Sequence, residues 1–308
     1  MQEAARFQEI YHRAHARHPA CLRDEWLSQP CTDARGRVVP RPIVWSRRNG
    51  PWRRHDLLFV GSAPGNAGGM GAGELGAHGT RIPFGGDIAG ANLDALLGSI
   101  GTDRNHIFIT ATLNSLPAAG GGEPALSEIQ ARVGRYPSSF HLLRAAIVAA
   151  GPKLLVALGN TGLRAAFAAA LMEGAKPPAS MPGTARLEKL GIRRGVLAPW
   201  PDGAPPALAF RSDWRAAWGD EPLPHVLLLT HPSAQNMSPF ARVETVFHTR
   251  MLDARAALRE AVRERLGWTL PAERPPYPDA GIYALPEWRT LIAPRHERLD
   301  ALWREKGV

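Results

Sequence analysis

Leu57-Leu58-Phe59-Val60-Gly61-Ser62-Ala63-Pro64-Gly65, running on through a glycine-rich loop to Pro83-Phe84-Gly85-Gly86-Asp87-Ile88-Ala89-Gly90, sets the architecture of this chain. Four apolar residues stop abruptly at Gly-Ser-Ala-Pro-Gly, the pattern of a buried strand that delivers its last residues into a tight turn. In open α/β sheets, ligands sit at such strand ends. Residues 65 to 90 hold ten glycines and one aromatic, Phe84. The backbone there can therefore approach a ligand closely and offer bare N–H groups to an anion or a flat polar ring.

Working outward, residues 1–45 form a lead-in, with a helix expected from Glu3 to His18 and a loop-rich run through Pro30, Pro40 and Pro42. The basic run Arg47, Arg48, Arg53, Arg54 reads as a solvated face. Beyond the glycine loop, the apolar spacing of Ala91 to Leu97 predicts a helix. Asn105 to Thr112 is a second strand, ending at Leu113-Asn114-Ser115-Leu116-Pro117. A long helical pattern starts at Ser127 and stops at Gly151-Pro152. Lys153 to Leu158 is a third strand, closed by Gly159-Asn160-Thr161, with Thr161 placed to cap a helix over Gly162 to Met172. Residues 174 to 224, rich in Pro, Gly and Ala, give no clear assignment. His225 to Thr230 is a fourth strand and feeds directly into His231-Pro232-Ser233-Ala234-Gln235-Asn236. A helix is expected from Phe240 to about Trp268, and residues 269–308 read as a basic, proline-interrupted extension. The main domain is thus residues 46–268, and strands alternating with helices imply βαβ units around a parallel sheet.

Composition narrows the function classes. The chain of 308 residues is 44% hydrophobic and 21% charged, the balance of a globular protein. No apolar run approaches the roughly 18 residues of a membrane span, and the N-terminus lacks the apolar core of a signal peptide. A cytoplasmic protein with no membrane partner is expected. The net charge is +9 and the pI about 10.3, carried by arginine except at Lys153, Lys176, Lys189 and Lys306. Such a balance favours a polyanionic partner such as nucleic acid. The two cysteines, Cys21 and Cys31, cannot make a four-thiolate metal site.

Three strands end in short polar motifs, Gly-Ser-Ala-Pro-Gly, Asn-Ser and His-Pro-Ser, which a parallel sheet gathers along one edge. Phe84 offers a face on which a base can stack, worth roughly 1–3 kcal/mol. The amide of Asn114 carries both a donor and an acceptor and suits the edge of a pyrimidine. His231 is placed to donate to an oxygen on which negative charge develops. Asp87 is placed to orient a water or to stabilise a cationic sugar. Each residue also has a structural reading: Phe84 as a core plug, Asp87 and Asn114 as turn caps, His231 as a cap or a core histidine.

The set Val60 to Gly65, Pro83 to Gly90, Asn114, Leu154 to Gly159 and His231-Pro232-Ser233 resembles the uracil-DNA glycosylase superfamily over about residues 55–265. Its nearest likeness is to the bacterial and archaeal A and B types, because Gly86 to Gly90 and His231 to Asn236 look like B-type motifs. The resemblance implies an α/β fold of three layers, α/β/α, with a central, mainly parallel sheet of four strands. It implies a DNA glycosylase, a monomer acting on uracil or another deaminated base in DNA, and nucleoid-associated when bound. In that reading the catalytic residues are Asp87 and His231, with Asn66 subsidiary. The base would be held by Gly61, Ser62, Ala63, Pro64, Gly65, Phe84, Asn114 and Ser233, and DNA would be probed by Gln235, Asn236, Met237 and Arg242. Two departures stand out: the cluster cysteines of the A and B types are missing, so no cofactor is expected, and Ser62 and Ala63 stand where relatives carry catalytic carboxylate or amide residues. Residues 115 to 127 contain no histidine, against a covalently trapping chemistry. The rival readings are a catalytically silent relative that holds a flipped base, and a nucleoside or nucleotide hydrolase.

Overall fold

Alternation within three apolar runs builds the layers of this protein. The structure is a computed structural model, and it describes residues 30–32, 38–40, 56–63, 88–102, 107–113, 123–132, 137–172, 176–201, 218, 220–233, 235–237 and 245–273. A short antiparallel pair, β1 (Pro30–Thr32) and β2 (Val38–Pro40), lies in the stretch expected to be loop. The main sheet follows, with β3 (Leu57–Gly61), α1 (Ile88–Ser99), β4 (Phe108–Ala111), α2 (Leu126–Gln130) and α3 (Ser139–Ala150). Then come β5 (Leu154–Leu158), α4 (Asn160–Ala170), α5 (Thr184–Glu188), β6 (Leu197–Pro199), β7 (His225–Leu229) and α6 (Val246–Leu266). The strand order is β4-β3-β5-β7-β6.

Every pairing in this sheet is parallel except β6 with β7. Side chains alternate across the sheet. Leu58 and Val60, Leu155 and Ala157, Val226 and Leu228 share one face and pack with Phe140 and Ile147 of α3 and Phe167 of α4. Leu57 and Phe59, Leu154 and Val156, Leu227 and Leu229 share the other, against Leu93 and Leu97 of α1 and Met251 and Leu258 of α6. Both faces are covered, which is why the strands read as unbroken apolar runs. Each fully buried Leu or Phe contributes roughly 1.5–3 kcal/mol.

The expected three layers are present, with a fifth strand added to the four. β6 lies in the stretch that gave no assignment; it is three residues long, antiparallel and ends in a proline, so it carries neither a period nor a long apolar run. The helix expected from Ser127 is two helices. Ala131 turns extended at ψ 150° and ends α2, and Ser138 starts α3 afresh by accepting from the backbone N–H of His141 at 3.3 Å. Thr161 is not the cap of α4. Gly159 holds that position at φ 88°, and Thr161 lies buried within the first turn. The last helix begins with Thr245 as its cap and ends at Gly267 in the left-handed region. The helix expected at Glu3–His18 and most of the C-terminal extension lie outside the described residues. Trp268 and Leu270, at the start of that extension, pack on the α1/α6 face.

α4 presses onto the sheet because its inward side chains are small. Ala165, Ala166, Ala168, Ala169 and Ala170 are fully buried, and Phe167 stacks on Trp200 with ring centroids 4.2 Å apart. At Gly162 the approach is closest, since a Cβ there would stand 2.5 Å from the carbonyl oxygen of Val60. Gly162→Ala is therefore expected to push α4 off β3 and cost about 1–3 kcal/mol, measured as a lower urea midpoint with an unchanged slope. At the opposite end of the sheet, burial and then the positive charge of Arg265 hold the pKa of His225 below its ordinary value, with Glu264 opposing. The unfolded chain thus takes up the proton more readily. Stability should be full above about pH 6.5 and decline as pH falls below it, and His225→Gln should flatten that decline in denaturation curves.

Candidate active site

The C-terminal ends of β3, β4, β5 and β7 meet at one edge of the sheet, as parallel pairing requires. Beyond the last paired residues of β3 and β4 the ladder continues. The N–H of Thr112 donates to the carbonyl of Gly61 at 2.9 Å, and that of Leu113 to the carbonyl of Ser62 at 3.0 Å. The Thr112 hydroxyl adds a 3.1 Å bond to the same Gly61 oxygen. Gly61 and Ser62 are thereby held straight beside Thr112 and Leu113, and Leu113 is fully buried.

β5 ends differently. The N–H of Gly159 donates to the carbonyl of Leu229 at 2.9 Å, and the chain then turns into α4 with Gly159 at φ 88°. A Cβ on Gly159 would lie 3.3 Å from the Cβ of His231. Only glycine takes this conformation without strain, so the turn brings the first residues of α4 against His231.

His231 follows β7 directly. Its Nδ1 accepts the backbone N–H of Ser233 at 3.2 Å. A ring nitrogen that accepts cannot also hold a proton, so the neutral ring carries its proton on Nε2. The rest of the loop is wound tightly. Asn236 and Met237 both donate backbone N–H groups to the carbonyl of Ser233 at 3.0 Å, and the Asn236 amide donates to the Ser233 hydroxyl at 2.9 Å. Arg250 in the first turns of α6 reaches the carbonyl of Asn236 at 3.3 Å.

One residue that the spacing did not single out holds this loop in place. Asn92, fully buried in α1, donates its amide to the carbonyl of Pro232 at 2.6 Å and to that of Met237 at 2.9 Å. The sequence signal was a polar residue directly before Leu93 on a helix whose other buried residues, Ser99 apart, are apolar. The same edge carries buried polar atoms without a partner among the described residues: Ser62 Oγ, Asn160 Oδ1 and Thr161 Oγ1. Buried polar groups are normally satisfied, so this edge has bonding capacity to spare for a polar ligand or water.

Of the residues predicted for the site, the structure brings Gly61, Ser62, Ala63, His231 and Ser233 to this edge. Gln235 is exposed and Asn236 half-buried on the loop beyond, positions open to a macromolecule. Met237 is different. Expected to probe DNA, it is fully buried and packs in the α1/α6 core, because the loop turns inward where Asn92 holds its carbonyl. Pro64, Gly65, Asn66, Phe84, Asp87, Asn114 and Arg242 lie outside the described residues. Among the described residues, no group of three or more His, Cys, Asp or Glu side chains could hold a metal ion, and no helix is long and apolar enough to cross a membrane.

Residues 49–255, more than half of the chain, match the family described as the Uracil DNA glycosylase superfamily. No curated protein matches the chain.

The Asn92 clamp makes a graded prediction. Asn92→Ala leaves two buried carbonyls unpaired, at about 1–3 kcal/mol each. Asn92→Asp sets a carboxylate against the same two oxygens and should be worse. Urea unfolding should rank the parent above Asn92→Ala and Asn92→Ala above Asn92→Asp.

Proposed function

This chain belongs to the uracil DNA glycosylase superfamily, and from that membership we propose that it is a monofunctional DNA glycosylase. It hydrolyses the N-glycosidic bond of uracil, or of another deaminated base, in DNA and leaves an abasic site. Superfamily members generally hydrolyse N-glycosyl bonds and act on DNA. The observation that carries the reading is the bond at His231 Nδ1: with that nitrogen engaged by the Ser233 N–H, the neutral ring holds its proton on Nε2, the nitrogen this reading assigns to the substrate. That is the group needed where a pyrimidine leaves as an anion and charge gathers on its carbonyl oxygen.

A base inside a duplex is out of reach, so the target nucleotide is swung out of the stack. In this reading the base stacks on Phe84, and Asn114 pairs with its polar edge. As the bond between the base nitrogen and C1′ of the sugar breaks, the electron pair goes to the ring and His231 stabilises the charge. Asp87, aided by Asn66, orients the water whose oxygen adds to C1′. The likeness of Gly86 to Gly90 and His231 to Asn236 to the B type supports assigning the water to Asp87, since Ser62 and Ala63 carry no carboxylate. Cys21 and Cys31 are too few for the four-cysteine cluster of the A and B types, so no step passes through one. No lysine stands in the motifs to form a Schiff base, which argues against strand cleavage. We read the protein as a cytoplasmic monomer.

A second reading is favoured by the same Ser62 and Ala63: a relative that binds a flipped base without cutting, as the superfamily includes inactive members. Base release from uracil-containing single- and double-stranded oligonucleotides, scored by alkaline cleavage, separates them. The parent is expected to cut, His231→Ala to lose about 100-fold or more, and Asp87→Asn to lose activity while still binding DNA. DNA retained without cleavage supports the silent relative, and cleavage of free deoxyuridine a nucleoside hydrolase.

A further inference from the structure

A cationic feature built from residues not assigned above stands at the same end of the sheet. Between α5 and β6 the chain makes a turn over residues 191–196, carrying Arg193 and Arg194. Its two flanks are fixed. Gly191 and Gly195 take φ of 83° and 74°, Ile192 is buried, the N–H of Gly195 donates to the carbonyl of Leu228 at 2.9 Å, and Arg194 bridges Leu228 in parallel pairing. Leu228 precedes His231 by three residues, a span of at most about 10 Å. The turn thus lies beside the candidate active site, on the edge of the sheet formed by β6.

Arg193 and Arg194 are both exposed. Neither has an ion pair or a side-chain hydrogen bond with any described residue. Arg186 of α5 and Lys189 at its C-terminal cap precede them, both exposed, and the opposing charge within residues 186–194 is the single carboxylate of Glu188. Placing uncompensated guanidinium groups together costs repulsion, which a polyanion relieves. Arginine forks match phosphate oxygens in two-point bonds.

We propose that the Gly191–Val196 turn is a contact for the phosphate backbone of the DNA strand that flanks the base held beside His231. The inference rests on the glycosylase reading for its occupant, and it adds a positioning surface that reads no base. Phosphate contacts fix register on DNA and carry the salt dependence of binding. A turn fixed at both flanks close to the candidate active site suits that purpose.

The test measures binding of the full chain to an undamaged duplex across a salt series, for Arg193→Ala, Arg194→Ala, the pair together and the pair changed to Lys. Arg263→Ala is the control, an exposed arginine near the far end of α6. The paired Ala change should weaken binding roughly tenfold at 100 mM salt and reduce the slope of log affinity against log salt by about 2, one for each lost contact. The Lys pair should keep the slope, and single-turnover uracil release at saturating DNA should match the parent. Equal effects from Arg263→Ala, or an unchanged slope in the paired Ala protein, overturn the contact. If the parent binds DNA through the turn but releases no base, the glycosylase reading fails and the contact stands. If uracil is released while the paired Ala protein binds like the parent, the contact fails alone.

Discussion

The arrangement around His231 depends on one buried amide. Asn92 spans from α1 to the loop after β7 and holds two of its carbonyls, those of Pro232 and Met237. Those carbonyls flank the tight winding in which Ser233 accepts two backbone N–H groups and the Asn236 amide while its own N–H engages the imidazole. The chain of constraint therefore runs from a core helix, through a side chain sealed from water, to the tautomer of an imidazole. An amide in a dry environment is costly unless bonded; both N–H groups of Asn92 are met by the loop they place, while its Oδ1 has no partner among the described residues.

Gly159 and Gly162 supply the complementary constraint. The first lets the backbone reverse beside the imidazole, and the second lets the helix approach Val60 more closely than any side chain would allow. Together they bring the ends of three parallel strands and the opening turn of α4 into one small region, where Ser62, Asn160 and Thr161 keep unmatched polar atoms. The site is thus held by its frame and polar in its lining, the combination that electrostatic stabilisation of a developing charge needs.

Much of this was legible in the sequence, for identifiable reasons. β3, β5 and β7 are buried on both faces, so their apolar runs announced themselves, and the ends of those runs located His231, Ser233 and the Gly61 to Ala63 segment. What escaped was whatever lacked a period. β6 is three residues closed by Pro199, and the break between α2 and α3 is set by the extended backbone of Ala131. Thr161 had the chemistry of a cap two residues too late, since a glycine turn had already begun the helix. Met237 sat in a polar loop and was read as surface, yet its thioether belongs to the core. Asn92 was hidden by its own helix, whose leucines carried the pattern while the amide carried the architecture.

The short strand β6 has a consequence beyond closing the sheet. An open edge with free N–H and C=O groups invites another chain to add itself as a further strand. Here the edge is only Leu197, Ala198 and Pro199, and the proline has no N–H to give. Side-by-side stacking of unfolded or neighbouring copies therefore finds little purchase at the β6 edge.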